Sequence, residues 1–402
     1  MDLELEHEHL ELLEAAAGTL DRHAPLSLAR AYLEGSGDAA ELRGQIAELG
    51  WLGVGLDEDD PFGVPGLCLL ANQIGRHAAP TTLVDTACVA RIAGAAESRW
   101  LDPIVGGETT VALALLEPGG GWMSPPLTGA VDGDGDLVIV TGEKAGVHHA
   151  AAVDLLAVLV HFEGSPALAL VDPRAAGVEL RLVAGLDPSC SPCTVTFAGS
   201  HIHGSDLLDG PEVETELRHA LDIAAVAVTA EGLGAASAAL DMAVAYALER
   251  QQYGRPIGAF QALQHLMAEQ HALRETAWAS VLYAAAALEE RTADAGAAAA
   301  VAKAHGAAAI RTVVEGALQV FGGVGFTREH DFHLLYRRAL ECAARFGDAV
   351  EHERRVAEEL LLPGAGPAGP PPDSAATVAG VRAGGGAAVG GGAAVGVARA
   401  GS

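Results

Sequence analysis

At 402 residues the chain is long enough for two or three domains with substantial cores. Its residues are 50% hydrophobic but only 4% aromatic, so those cores must be built from Ala, Leu and Val. A formal charge of −29 excludes a nucleic-acid partner, whose phosphates need a basic surface, and leaves an anionic small ligand only where the few basic residues cluster. The N-terminus, Met1-Asp2-Leu3-Glu4-Leu5-Glu6, lacks the basic-then-apolar order of a secretory leader, and no uninterrupted apolar run reads as a bilayer span. The expectation is a soluble, cytoplasmic protein with no membrane span.

Residues 1–107 read as an N-terminal helical domain. Leu10, Leu12, Leu13 and Leu20 share one face, Gly50 is placed to stop a helix, and apolar periods at helical spacing follow over 65–77 and 81–95. Gly53, Gly55 and the run Asp57-Glu58-Asp59-Asp60-Pro61 mark a loop. From 108 to 209 the pattern changes to short β-rich runs at 111–116, 137–141, 155–160, 167–171, 178–183 and 194–197. With turn signals such as Asp132-Gly133-Asp134-Gly135 between them, they predict an antiparallel β domain. From 210 to 362 the chain is helical again, with segments at 211–250, 260–291, 294–320 and 348–362 suited to a four-helix bundle. Residues 363–402 collapse into Gly, Ala and Pro, a composition that predicts a disordered tail.

The five cysteines are too sparse for a disulfide framework. Cys190-Ser191-Pro192-Cys193 is a lone CxxC with His201 and His203 downstream; with no second pair it reads as two small residues on a β edge, and no metal site is expected.

Two stretches carry most of the chemistry. Arg250-x-x-Tyr253-Gly254-x-x-Ile257-x-x-Phe260-Gln261 and Gln319-x-x-Gly322-Gly323-x-Gly325-Phe326 each follow a long Ala/Leu-rich helical pattern. Each mixes a guanidinium or amide with glycines, as a phosphate-bearing ligand at a helix end requires. Together with the helices–β–helices order, they resemble the acyl-CoA dehydrogenase family, whose signatures have the form R-x-x-F-G-x-x-I-x-x-x-Q, with Tyr253 here for Phe. The likeness covers about residues 5–362. It implies a mainly α fold with a central β domain, FAD as cofactor and oxidation of the α,β bond of an acyl-CoA thioester. It also implies electron transfer to an electron-transfer flavoprotein or similar acceptor, and a homo- or hetero-tetramer.

By that resemblance Arg250, Tyr253, Gln261, Gln319, Gly322 and Gly323 would reach the diphosphate and adenosine of a flavin held mainly by a neighbouring subunit. Arg supplies a fork of donors for phosphate oxygens, and Gly lets the backbone approach. Glu117-Pro118-Gly119-Gly120-Gly121 stands where the family has an E-P-x-x-G loop lining flavin and thioester. Gly146 takes the place of a flavin-facing Trp, and His148 stands where Thr is common and would donate to a flavin edge.

The catalytic carboxylate is missing from both positions where the family keeps it. Phe346, before Gly347, and Ala224, on the first bundle helix, occupy them. A phenyl ring or a methyl group accepts no proton. Glu231, two helical turns past Ala224, and Asp348, two residues past Phe346, are the substitutes available to a self-sufficient dehydrogenase. Otherwise a paralogous partner supplies the base, or the chain is a non-catalytic scaffold.

Overall fold

Glycines decide where the first helices stop and how closely later ones cross. The computed structural model describes residues 5–56, 60–122 and 137–361. The Asp132-Gly133-Asp134-Gly135 turn, most of the acidic run at 57–60 and the 363–402 tail lie outside the described residues. Helices α1 (His7–His23), α2 (Leu26–Leu33) and α3 (Ala40–Glu48) come first, and the chain leaves α3 through Gly50 at φ 70, the left-handed backbone that glycine adopts without cost. Helices α4 (Gly63–Arg76), α5 (Leu83–Ala95) and α6 (Leu101–Val105) complete this segment.

The β region begins with β1 (Val111–Ala114) and continues through β2 (Leu137–Val147), β3 (Leu155–Phe162), β4 (Ser165–Val171), β5 (Val178–Leu182), β6 (Cys193–His203) and β7 (Leu207–Leu208). It forms two sheets, ordered β1-β3-β4-β7 and β2-β6-β5. One pairing departs from the all-antiparallel expectation: β1 runs parallel to β3, Val111 opposite Leu155. The connection between these two strands runs through the whole of β2, long enough for the crossover that parallel pairing needs. Val138, Val140, Leu156, Val158, Val195 and Phe197 belong to a core that the two sheets share.

Pro211 opens α7 (Pro211–Glu249), where its missing N–H costs nothing. A two-strand hairpin, β8 (Gln251–Gln252) and β9 (Arg255–Pro256), leads to α8 (Gln261–Glu289), α9 (Ala295–Phe321), α10 (Phe332–Ala344) and α11 (Ala349–Leu361). The bundle region thus has five long helices rather than the four expected. The addition is α10, whose charged residues hide its apolar period. α7 runs through the middle, packed by α4, α9 and α10. Its crossing with α4 is backbone on backbone: a Cβ on Gly75 would lie 1.8 Å from the Glu231 carbonyl oxygen, and one on Gly234 1.9 Å from that of Asn72. Against the sequence expectation, α7 and the stretch Ala295–Phe326 are long and apolar enough to cross a membrane by length and composition. The apolar window of α7 is 94% buried inside the fold, the signature of a core helix.

Candidate functional site

The two signature stretches meet at one open groove. α7 ends at Glu249, and Arg250 leaves it in extended backbone. The β8–β9 hairpin turns on Tyr253 (φ 53) and Gly254 (φ 76), the paired positive φ angles of a tight hairpin turn. The Arg255 guanidinium lies 4.2 Å over the Phe260 ring, and Tyr253 meets that ring edge-on at 6.1 Å, which stiffens the arm. Opposite, α9 ends at Phe321 and the chain turns through Gly322 at φ 61. Between them lies a groove of about 420 Å³, floored by Tyr246 and Phe321, whose rings are 4.9 Å apart, with Arg250, Gln252, Thr327 and Gly323 also lining it.

Of the six arm residues expected from the sequence, Arg250 and Gly323 line this groove. Tyr253 (92% exposed), Gln261, Gln319 and Gly322 stand on the same segments but outside the lining. Gln261 contacts His265 at 3.4 Å. Gln252, Thr327 and Tyr246 were missed. Gln252 sits inside the first signature at an unassigned position, so spacing alone could not single it out.

The residues expected around a flavin ring and thioester converge elsewhere, on the seam between the β region and α10, and each is engaged by the chain itself. Lys144 Nζ, fully buried, donates to Glu117 Oε1 (3.0 Å) and to the Leu115 carbonyl (3.3 Å). His148 Nε2 pairs with Glu341 Oε1 at 3.0 Å. Burial opposes ionisation of Glu341, but the His148 hydrogen bond and charge outweigh it and hold the carboxyl below its usual range. The Trp122 ring packs 5.3 Å from Phe346, and its backbone N–H donates to Glu351 Oε1 (3.1 Å).

Phe346 is buried and sits at φ 58, a conformation that bulky L-residues rarely adopt. His352 Nε2 donates to its carbonyl at 2.8 Å. Fully buried Lys303 donates to the carbonyls of Cys342 (2.8 Å) and Ala343 (3.4 Å), satisfying the end of α10. Burial pushes the Lys303 ammonium pKa down to about 7.

Each substitute carboxylate is hydrogen-bonded within the chain through one of its oxygens. Asp348 caps α11: its Oδ1 accepts from the Glu351 N–H (2.9 Å), while Glu351 Oε2 accepts from the Asp348 N–H (3.1 Å), a reciprocal capping box. Glu231 Oε1 accepts from Arg338 Nη1 at 3.0 Å. Ala224 is buried and offers only a methyl group, and the nearby Asp222 is clamped by both terminal nitrogens of Arg355. Arg338, Glu341 and Arg345 were not foreseen as a set. Their spacing of three and four residues along one helix is the signal, readable once α10 is recognised as a helix.

The CxxC reading also shifts. Cys190 lies in a short turn and Cys193 opens β6, the middle strand of its sheet rather than an edge. All five cysteines are buried and unpaired. His201 and His203 are exposed, and no three metal-type ligands converge among the described residues.

The family model for the acyl-CoA dehydrogenase C-terminal domain matches residues 216–360. Acyl-CoA dehydrogenase FadE34 of Mycobacterium tuberculosis is 30% identical over 347 residues, which is 85% of this chain. A variant of the Tcur3481-Tcur3483 steroid ACAD superposes with a TM-score of 0.78 at 29% identity, covering 88% of this chain and 98% of that one. The chain belongs to the acyl-CoA dehydrogenase family. The ChsE4-ChsE5 complex of Mycobacterium tuberculosis shares the fold, with a TM-score of 0.79 at 23% identity, covering 92% of this chain and all (100%) of that one. The chain spans 45% of the length of FadE34.

Acyl-CoA dehydrogenases are FAD-dependent flavoproteins, and the two regions of this member fit that cofactor unequally. The groove offers an exposed guanidinium, glycine backbone and an aromatic floor, a set that suits a diphosphate with its adenosine. At the seam Lys144 and Glu117, His148 and Glu341, and Trp122 and Phe346 touch one another, while a Cβ on Gly146, the position of the family's flavin-facing Trp, would meet open space.

Proposed function

We propose that this chain is one subunit of a FAD-dependent acyl-CoA dehydrogenase assembly that desaturates the α,β bond of an acyl-CoA thioester. In this reading it lends Arg250, Gln261 and Gln319 to a flavin whose catalytic carboxylate comes from a paralogous partner. The observation that carries it is the contrast between an open, basic-lipped groove at the arm and base positions held by Phe346 and Ala224. Leu248 (67% exposed), Tyr253 and Phe326 (76%) leave large apolar side chains in solvent on the arm segments, which favours a partner surface there. Assembly as a hetero-tetramer fits these features better than a homo-tetramer, because identical chains would all lack the base. The printed titles of similar structures name a ChsE4-ChsE5 complex and a steroid ACAD, which makes bulky acyl groups the first substrates to try.

Arg250 and the Gly322–Gly323 turn would hold the diphosphate of a flavin that would supply a hydride acceptor for the β position, and the partner's carboxylate would take the α proton. This chain's part is positional. Arg250 neutralises diphosphate charge, the Gly322–Gly323 turn admits close backbone approach, and the Tyr246–Phe321 floor excludes water beneath the ligand. An electron-transfer flavoprotein or similar acceptor would then take up the electrons.

The test is co-expression with a paralogous subunit, followed by flavin absorbance and acyl-CoA-dependent dye reduction. The complex should carry flavin and turn over; the lone chain should not. Strong activity of the lone chain, surviving Glu231→Gln and Asp348→Asn, would overturn the division of labour. Loss of that activity in either variant would instead favour a self-sufficient enzyme. A complex without flavin absorbance would leave a scaffold subunit.

A further inference from the structure

One wall of the groove is anchored by a helix from the other end of the chain. Gly323, Val324 and Thr327, which line the groove, belong to a short stretch with glycine at 322, 323 and 325. Glycine loses more conformational freedom on folding than any other residue, so a wall this rich in it is hard to hold in one shape. Within the stretch, the Thr327 N–H and hydroxyl both donate to the Val324 carbonyl (3.0 and 2.9 Å). Among the described residues, the hydrogen bonds that reach 322–331 from outside α9 and α10 come from a single side chain, Arg30 of α2.

Arg30 grips both flanks of His330. Its Nη1 donates to the Arg328 carbonyl (2.6 Å), while Nε (3.2 Å) and Nη2 (2.5 Å) donate to Asp331 Oδ1. Asp331 stands at the N-cap of α10, where an aspartate ordinarily accepts from the first N–H groups of its helix. Here it makes no such bond, and its carboxylate is turned to Arg30 instead. His330, between the two held residues, accepts the Phe332 N–H at Nδ1 (3.1 Å), so the neutral ring carries its proton on Nε2. That ring lies 4.6 Å from Phe321, which Phe332 (4.7 Å) and Tyr246 (4.9 Å) also touch. The floor of the groove is therefore boxed by three rings, and one of them sits inside the Arg30 clamp.

We infer that Arg30 is a positioning residue for the groove: from outside the lining it presets the 322–331 wall and the Phe321 floor for the adenosine diphosphate part of the cofactor. The inference rests on the proposed reading of the groove as the place where that part binds. An ion pair as exposed as this one, with the Arg30 side chain 27% and Asp331 40% exposed, contributes little by itself. The carbonyl bond decides the matter. It fixes the main chain of the wall directly, and a charged donor makes it about twice as strong as a neutral hydrogen bond. A wall ordered before the ligand arrives has less freedom to lose on binding, which is the source of the affinity that Arg30 supplies.

The experiment uses the full chain alone, with ADP as the probe, and follows calorimetric titration beside hydrogen exchange. Arg30→Met keeps the stem and removes every donor. It should speed exchange about 10-fold in the peptide around 322–331 and weaken ADP binding about 10-fold. Arg30→Lys should fall between it and wild type in both readings, because the ammonium keeps the charge but cannot hold the carbonyl and the carboxylate in one planar fork. Should Arg30→Met fail to fold, Asp331→Asn leaves the Arg328 carbonyl bond in place and should move both readings the same way by a factor of about 3. Arg250→Ala should abolish ADP binding with exchange around 327–331 unchanged, which locates the nucleotide in the groove. Unchanged exchange in Arg30→Met, or faster exchange with unchanged ADP affinity, would overturn the positioning role and leave the groove reading standing. A wild-type chain that binds no ADP, or ADP binding that Arg250→Ala leaves intact, would overturn the groove reading and this inference with it.

Discussion

The arm and the seam are built from the same kinds of residue put to opposite use. At the arm, Arg250 stands exposed at a helix end beside an open groove, and no side-chain carboxylate among the described residues pairs with it. At the seam, Arg338 is buried with two carboxylates, a hydroxyl and two carbonyls around it. An arginine whose donors are all satisfied stabilises a fold; one with open donors is available for a ligand. The difference teaches that the presence of a family signature and the presence of a working pocket are separate questions, answered in different parts of this chain.

The largest expected effect separates the two regions by stability. Asp85→Ala strands the Arg345 guanidinium and the Leu113 N–H in the interior, and urea denaturation should show a loss of about 3–5 kcal/mol. Arg250→Ala, at the exposed arm, should leave the denaturation midpoint of the same protein unchanged within error. Equal losses would mean that the arm is structural after all.

Ligand affinity should divide the other way. In the co-purified assembly, Arg250→Ala removes a charged donor from the groove and should weaken flavin retention by about 10–100-fold. Arg250→Lys should recover only part of it, because the ammonium lacks the planar fork. Fluorescence titration of released flavin measures both. An unaffected affinity would detach the groove from the cofactor.

Much of the fold was legible. Helix stops such as Gly50, the alternation in the β runs and the start of α7 at Pro211 are local signals, set within a few residues by backbone chemistry. The arm was legible too, because both of its halves are contiguous in sequence. The seam was not. Arg338 gathers partners that lie 107 to 260 residues away in sequence, and nothing at Asp187 or Ala79 announces that a guanidinium will arrive. α10 was hidden for a related reason: its apolar period is interrupted by Arg338, Glu341 and Arg345, which look like surface charges until their partners are known. Phe346 was singled out as a residue that accepts no proton, while its packing on Trp122 depends on two chain segments more than two hundred residues apart.

A smaller effect lies in the pH dependence of the seam's far end. Lys303 has its pKa lowered to about 7 in the folded chain, whereas the unfolded chain titrates near the ordinary lysine value of about 10.4. Between these values the unfolded state binds more protons, so stability should rise with pH across roughly 7 to 10, by up to about 1.4 kcal/mol per unit. Lys303→Met should flatten that slope. Asp187 and Glu341 act in the opposite window: their depressed pKa values give stability that is present above about pH 4 and lost as pH falls through their folded values. Denaturant midpoints collected across pH 3 to 10 would show both limbs, and a flat alkaline limb in wild type would place the Lys303 charge elsewhere.

The smallest effect discriminates most finely between the two regions. Asp348→Ala breaks the capping box with Glu351 and should cost about 1 kcal/mol, the usual value of a helix N-cap. Because Glu351 also holds the Trp122 N–H, the loss should appear as faster hydrogen exchange around residue 122 as well as in α11. Turnover by the assembly should be unchanged when assayed below the shifted midpoint. Asp348→Asn keeps an oxygen for the cap and should be close to neutral in both measurements. If Asp348→Asn instead abolished turnover with the fold intact, the carboxylate would be acting as a base, and the division of labour proposed for the assembly would fail.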